Sequence, residues 1–263
     1  MLTDPKIAEK ATVEKILRLQ WWTDKLLTFT TTRPPGYSFD AGQYARLGLR
    51  DAHGVVWRAY SMVSSPAQDF LEFYGVLVPN GLFTTQLKAL KEEDGILVEK
   101  QRYGFMTPDR FTDGEDLWMI ATGTGVGPFI SMLRDPYVWG RFRNLILVHG
   151  ARHTEEFTYR DELASYVRKA PFEAPSRLQV VRAVTREDAQ GADPLLLKGR
   201  VTTLFENGAL EKAAGLPITE AASRFMLCGN PEMIEDMRKL LHGRGMRPVR
   251  RALPGHFVTE NYW

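Results

Sequence analysis

The residues best suited to chemistry in this sequence are Leu117-Trp118-Met119-Ile120-Ala121-Thr122-Gly123-Thr124-Gly125-Val126-Gly127-Pro128, where a strand-length apolar run passes through small residues into a helical stretch. Small residues at a strand's carboxyl end let a phosphate or a flat ring approach the backbone, and the helix that follows turns unpaired N–H groups and a positive dipole end toward it. Anion or dinucleotide binding follows from that arrangement. The same residues also fit a tight turn that is glycine-rich for packing alone, and their spacing differs from G-x-G-x-x-G, so a general NAD-binding motif is not claimed.

Arg152 stands after Leu145 to His149, next to Ala151; Arg186 stands after Val180 to Thr185; Arg200 opens a later helical stretch. In an open parallel sheet the ligand crevice lies beyond the carboxyl ends of the strands, which places all three guanidiniums near one crevice. Arginine forks match phosphate oxygens bidentately, and this favours NADP over NAD through the extra 2'-phosphate. Taken singly, each arginine reads equally as a solvated surface charge. Cys228-Gly229-Asn230-Pro231 ends a fourth apolar run and opens another helix, a place for a nicotinamide ring or, on the plainer reading, a small buried thiol. In Arg58-Ala59-Tyr60-Ser61, strand alternation sets Arg58 and Tyr60 on one side and Ala59 and Ser61 on the other. A cation, a ring and a hydroxyl suit a ligand with a phosphate and a flat heterocycle, although so short a string also occurs in unremarkable strands.

Two kinds of scaffold must position these groups. From Thr12 to about Gln101, short segments rich in Val, Leu, Thr and aromatics alternate with turns such as Arg33-Pro34-Pro35-Gly36 and Pro79-Asn80-Gly81, the rhythm of an antiparallel barrel. A short helix is predicted after Gly81 from Phe83, Leu87 and Leu90. Beyond a boundary near Thr107 to Gly114, four continuous apolar runs alternate with helical stretches: Leu117 to Ala121, Leu145 to His149, Leu178 to Val184 and Arg224 to Cys228. Continuous apolarity marks strands covered on both faces, as in a parallel sheet wrapped by helices. The last long helix is framed by Asn230 as N-cap, Pro231 in its first turn, an Ile234, Met237, Leu240, Leu241 stripe and Gly243 at its end.

Composition narrows the function classes. With 34 Lys+Arg against 32 Asp+Glu, the net charge of +2 makes neither nucleic acid nor an anionic membrane the default partner. A single cysteine excludes an intramolecular disulfide, a four-cysteine iron-sulfur site and a thiolate-built zinc site, and no metal ligand set is expected. The first residues, MLTDPKIAEKATVEK, lack the apolar core of a secretory signal, and a cytoplasmic location is expected. The uncharged run from Leu117 to Leu133 is broken by Gly123, Gly125, Gly127 and Pro128, so it reads as strand and helix and not as a membrane span.

Taken in order, R-A-Y-S at 58–61, F-Y-G-V-L-V-P-N-G-L-F-T at 73–84, A-T-G-T-G-V-G-P at 121–128, V-T-R-E at 184–187, G-R at 199–200, C-G-N-P at 228–231 and E-N-Y-W at 260–263 resemble the bacterial ferredoxin/flavodoxin-NADP reductases. The resemblance spans nearly the whole chain. It implies an antiparallel Greek-key FAD-binding barrel over 1–108 and a parallel-sheet, Rossmann-like NADP(H)-binding domain over 109–263 whose last residues return to the FAD. It implies that Arg58 contacts the FAD pyrophosphate with Ala59 among the FAD contacts, that Tyr60 packs on the isoalloxazine with Ser61 near its reactive edge, that Tyr74, Leu82, Phe83 and Thr84 support the rest, and that Thr124 sits where the glycine-rich turn meets the flavin. It implies terminal Tyr262 and Trp263 stacked on FAD, and Ala151, Arg152, Thr185, Arg186, Arg200, Asn230, Pro231, Glu232 and Asp236 around NADP. Ser61, Cys228 and Glu260 are then the catalytic candidates bordering the nicotinamide-flavin contact. Two departures stand out: Gly125 occupies a position where relatives often carry another small residue, and Gly191-Ala192-Asp193-Pro194-Leu195 lengthens the loop before Arg200.

The implied activity is electron exchange between NADPH and a small acidic ferredoxin or flavodoxin, by a monomer. Arg238, Lys239, His242, Arg244, Arg247, Arg250 and Arg251 form a basic strip that either steers such a carrier or is a solvated helix end. The alternatives are the reductase component of an oxygenase system and a flavin-binding accessory subunit without turnover.

Overall fold

Over residues 12–17 of β1 (Ala11–Trp21), exposed and more buried side chains alternate, as in a strand with one face on an apolar interior. The computed structural model describes residues 5–51, 54–188, 193–251 and 253–261. After a six-residue helix α1 (Pro5–Lys10), β1 joins β2 (Leu26–Thr32), β3 (Tyr44–Asp51), β4 (Gly54–Ser61), β5 (Phe70–Val76) and β6 (Gly95–Tyr103) in one antiparallel sheet, ordered β4-β3-β6-β1-β2-β5. A bridge between Met62 and Phe73 ties the two outer strands, closing the sheet into a barrel. Bulges between Ile16 and Arg18 and between Ala45 and Leu47 supply bends that closure requires. Ile16, Leu27, Phe29, Leu47, Phe73 and Val98 fill the interior. Helix α2 (Leu82–Ala89) begins directly after Gly81 and inserts Phe83 and Leu87 into the same core.

The parallel sheet contains the four expected runs as β7 (Asp116–Thr122), β8 (Asn144–Ala151), β9 (Arg177–Val184) and β11 (Ser223–Cys228), and adds β10 (Leu196–Lys198) and β12 (Phe257–Glu260). Its order is β10-β9-β8-β7-β11-β12. The continuous apolarity has the anticipated cause. Leu117, Met119 and Ala121 face a core shared with α3 (Gly127–Leu133), α4 (Pro136–Arg141) and α5 (Arg160–Arg168), whereas Trp118 and Ile120 face α6 (Val201–Glu206), α7 (Ala209–Ala214) and α8 (Pro231–Gly243). Barrel residues Leu26, Val63 and Tyr74 belong to the first of these cores, so the two halves share an apolar seam. Asn230 caps α8 as its sequence predicts, its side-chain oxygen accepting from the N–H groups of Glu232 (2.8 Å) and Met233 (3.2 Å). No helix among the described residues is long and apolar enough to cross a membrane.

Candidate active site between the barrel and the parallel sheet

From β7 the sheet grows one way through β8, β9 and β10 and the other way through β11 and β12, so the order reverses at β7 and β11. At such a switch point the two following segments diverge and leave a crevice at the carboxyl ends. Here two glycine turns face each other across it. A Cβ on Gly125 would lie 2.4 Å from the Cys228 carbonyl oxygen, and one on Gly229, at φ +136°, would lie 2.2 Å from Thr122 Oγ1. No side chain fits at either position. The close approach lets Asn230 donate its N–H to Thr122 Oγ1 at 2.9 Å, which fixes the start of α8 to the end of β7. The parallel pairing of β11 with β12 sets Glu260 opposite Cys228, and the Glu260 carboxylate reaches back beside Gly104 and Tyr44 at the end of the barrel.

The barrel supplies the opposite wall. A cavity of about 340 Å³ is lined by Arg58, Ala59, Tyr60 and Ser61 of β4, by Tyr74 and Gly75 of β5, by Leu82, Phe83 and Thr84 of α2 and, from across the seam, by Thr124. Tyr60 is wedged against Phe29, Phe73 and Phe83, with its ring centroid 5.4 Å from that of Phe83, and burial pushes its hydroxyl pKa up. Thr84 Oγ1 donates to the Val78 carbonyl at 2.9 Å and holds the turn that starts α2. The first turn of any helix leaves N–H groups without intrahelical partners, and here that turn opens on the cavity beside the Arg58 guanidinium. Arg58 is exposed and makes no ion pair among the described residues. Ser61 Cβ lies 3.8 Å from where a Cβ on Gly127 would be, so the catalytic candidate of the barrel meets the start of α3.

Beyond β8 and β9 the expected arginines assemble along one backbone seam. Thr185 and Arg186 donate their N–H groups to the carbonyls of Ala151 (3.2 Å) and Arg152 (2.9 Å), and Gly199, just before Arg200, donates to Val184 at 2.8 Å. Arg152, Arg186 and Arg200 are exposed, and their guanidiniums make no ion pair among the described residues, although the Arg152 backbone N–H donates to the Glu156 carboxylate at 3.1 Å. Arg134, Arg182, Arg224 and Arg244, by contrast, are all paired with carboxylates.

Residues 119–239 match a family model described as the oxidoreductase NAD-binding domain. A flavodoxin/ferredoxin-NADP reductase of Shigella flexneri is 42% identical over 250 residues, covering 95% of this chain and 97% of the relative, and one of Escherichia coli is 41% identical. A solved ferredoxin NADP+ reductase of Neisseria gonorrhoeae, with bound FAD and NADP, superposes with a TM-score of 0.89 at 37% identity, over 97% of this chain and 99% of that one. The chain belongs to the flavodoxin/ferredoxin-NADP reductase family.

Among the site residues expected for a flavodoxin/ferredoxin-NADP reductase, the structure brings together the 58–61 strand, Tyr74, the α2 turn and Thr124, and separately Ala151, Arg152, Thr185, Arg186 and Arg200. Asn230, Pro231 and Glu232 sit at the crevice as the cap and first turn of α8. Asp236 lies about 9 Å further along that helix at 1.5 Å per residue, where its carboxylate pairs with Lys239. Tyr262 and Trp263 lie outside the described residues. A wider hollow at the amino ends of β7, β8 and β9, around Glu115, Arg143 and Arg177, is at the end of the sheet opposite the crevice. In the basic strip, Arg244 pairs with Glu211 and lies over Phe205, so it is not a free surface charge, whereas Arg247 is exposed and is held at its Nε by the Pro254 carbonyl.

One contributor escaped the sequence. His149, 2% exposed, lies 3.0 Å from the Gly123 carbonyl through Nε2. A carbonyl can only accept, so Nε2 carries the proton and the ring is the neutral Nε2–H tautomer. Burial, opposed by that hydrogen bond and assisted by Arg182, lowers its pKa to about 4. His149 thus holds the glycine-rich turn without bringing charge to it. The signal was present: a histidine inside an apolar strand must find a partner near the strand's end.

Proposed function

We propose that this protein is an FAD-containing, NADP(H)-dependent reductase that passes electrons to a small acidic ferredoxin or flavodoxin. The observation that carries this reading is the cavity lined by Arg58, Tyr60, Ser61 and the α2 turn on one side and Thr124 on the other, with the glycine turns of the switch point beside it. An arginine with no ion pair among the described residues, its Nη1 donating only to the Trp57 carbonyl, together with a helix start and aromatic walls, fits a pyrophosphate joined to a flat ring system, so these residues fit FAD. FAD, when bound, would accept one hydride, an electron pair with its proton, and release the two electrons singly.

The protein's part is to bind, orient and exclude water. Arg58, Ala59 and the first turn of α2 hold the pyrophosphate, Tyr60 and Tyr74 wall the ring, and Ser61 and Thr124 border its reactive edge. Arg152, Thr185 and Arg186 grip the 2'-phosphate, with Arg200 as a third cation, and Ala151 keeps the approach open. Asn230, Pro231 and Glu232 complete the dinucleotide's crevice, and Asp236 lies further along the helix. Cys228 and Glu260, adjacent through β11 and β12, flank the place where the two ligands meet, and the Glu260 carboxylate can exchange a proton there. On this reading the barrel over 1–108 is the flavin-binding unit, 109–263 is the dinucleotide-binding unit, and the enzyme acts as a cytoplasmic monomer.

Purified protein is expected to be yellow, to hold one FAD per chain, to bleach faster with NADPH than with NADH, and to reduce a ferredoxin or flavodoxin. A colourless chain that does not retain added FAD overturns the proposal.

A further inference from the structure

The seam between barrel and sheet contains a buried polar network that the site described above does not use. Arg134, which follows the last residue of α3, has a side chain 14% exposed. Its Nη1 donates to the Val63 carbonyl (3.1 Å) and to Glu72 Oε2 (3.0 Å), both on the barrel. Its Nε and Nη2 donate to Glu162 Oε1 (2.6 Å) and Oε2 (2.8 Å) in the first turn of α5. The other Glu72 oxygen accepts from Tyr159 Oη at 2.9 Å, and Tyr159 continues through Thr28 Oγ1 (2.8 Å) to Trp22 Nε1 (2.8 Å). Ser131 Oγ of α3 donates to the Ser64 carbonyl at 2.7 Å, and Ser64 Oγ accepts the Glu72 N–H at 3.1 Å. Burial opposes the charge on Arg134, but the two carboxylates raise its pKa above the ordinary arginine value.

Helix α3 is therefore braced at both ends against one barrel segment. Its start meets Ser61 at Gly127, and its end is tied to Val63, Ser64 and Glu72 through Ser131 and Arg134. Since α3 begins at the glycine-rich turn, whatever fixes the helix along the barrel also fixes the distance from Ser61 to Thr124 and to the Cys228 crevice. Tyr159 adopts φ +57°, a left-handed conformation costly for a bulky residue, and in it reaches Glu72. Apolar residues of similar volume stabilise a seam as well as or better than a buried ion pair, so stability alone does not account for the network. What directional bonds add over apolar contact is a defined geometry.

We infer that Arg134, held by Glu72 and Glu162 and backed by Tyr159, is a positioning residue for the reductase reaction: it sets the width of the crevice in which dinucleotide and flavin meet. The inference rests on the reading of that crevice given above.

The test uses the full FAD-loaded chain with Arg134→Met, Arg134→Lys and Tyr159→Phe, the last keeping the ring and so the fold. Each variant is assayed for FAD content, NADPH affinity, the limiting rate of NADPH-driven flavin bleaching, and calorimetric unfolding without NADPH. One FAD per chain and unchanged NADPH affinity are expected, with the limiting rate of Arg134→Met falling about 10- to 100-fold. Arg134→Lys recovers part of the loss, Tyr159→Phe shows a smaller loss, and the single unfolding transition of the wild type separates into two. A wild-type limiting rate in Tyr159→Phe and in any folded Arg134 variant overturns the inference, as does a change confined to NADPH affinity. Wild-type protein that binds no FAD overturns instead the reading of the site.

Discussion

Arg186 and His149 show how much a single side chain can decide. Charge-assisted hydrogen bonds to a phosphate are among the strongest that an exposed arginine makes. Arg186→Ala is accordingly expected to raise the KM for NADPH roughly tenfold to a hundredfold while leaving that for NADH within about twofold, in steady-state assays of both nucleotides. An equal loss for both would place Arg186 away from the 2'-phosphate. His149 makes a different prediction. Its folded pKa of about 4 lies below the unfolded value, so below about pH 6.5 the unfolded chain binds a proton that the folded chain refuses. The stabilisation is complete above pH 6.5 and declines as pH falls toward 4, by about 2 kcal/mol between pH 6.5 and pH 5 and by about 3 kcal/mol in all. Urea unfolding at pH 7 and pH 5 measures it, and His149→Gln, which does not titrate there, should show a correspondingly flatter difference.

Among the elements, β7, β11 and α8 were readable because each announces itself locally. An apolar run of strand length needs two covered faces, and Asn230-Pro231 is a helix start in any context. Asn230→Ala is expected to lower stability by about 1 kcal/mol, seen as a drop of about 2–4 °C in melting temperature. Gly125→Ala is expected to do more. Its methyl group would meet backbone, which cannot rotate away, so β7 and β11 must spread, and NADPH-driven reduction should fall together with stability; wild-type rates in that variant would refute the close approach. Strands β10 and β12 were not legible: three and four residues of mixed polarity carry no period, and only pairing with β9 and β11 makes them strands. The motifs likewise named Cys228 and Glu260 without saying that β12 sets them side by side. The links from Arg134 to Glu72 and from His149 to Gly123 span 62 and 26 residues, separations at which spacing along the chain says nothing about proximity.

For the molecule as a whole, a net charge of +2 gives little long-range field, so attraction of an acidic carrier must come from local clusters. The C-terminal basic strip is narrower than its sequence implies: Arg238 and Lys239 pair with Glu235 and Asp236, and the exposed cationic heads without an ion pair among the described residues are Arg247, Arg250 and Arg251. Carrier reduction is expected to slow with added salt, and Arg250→Ala/Arg251→Ala to flatten that dependence. Arg244→Ala should leave the salt slope alone and lower the melting temperature, because this arginine braces α7 and Phe205; the reverse pattern would return Arg244 to the docking face. The lone cysteine offers one more view of the assembled molecule. Cys228 is fully shielded from solvent at the switch point. A thiol reagent can reach it only while the crevice gapes, so its labelling kinetics in unmodified protein clock that opening, and a bound dinucleotide should slow the clock.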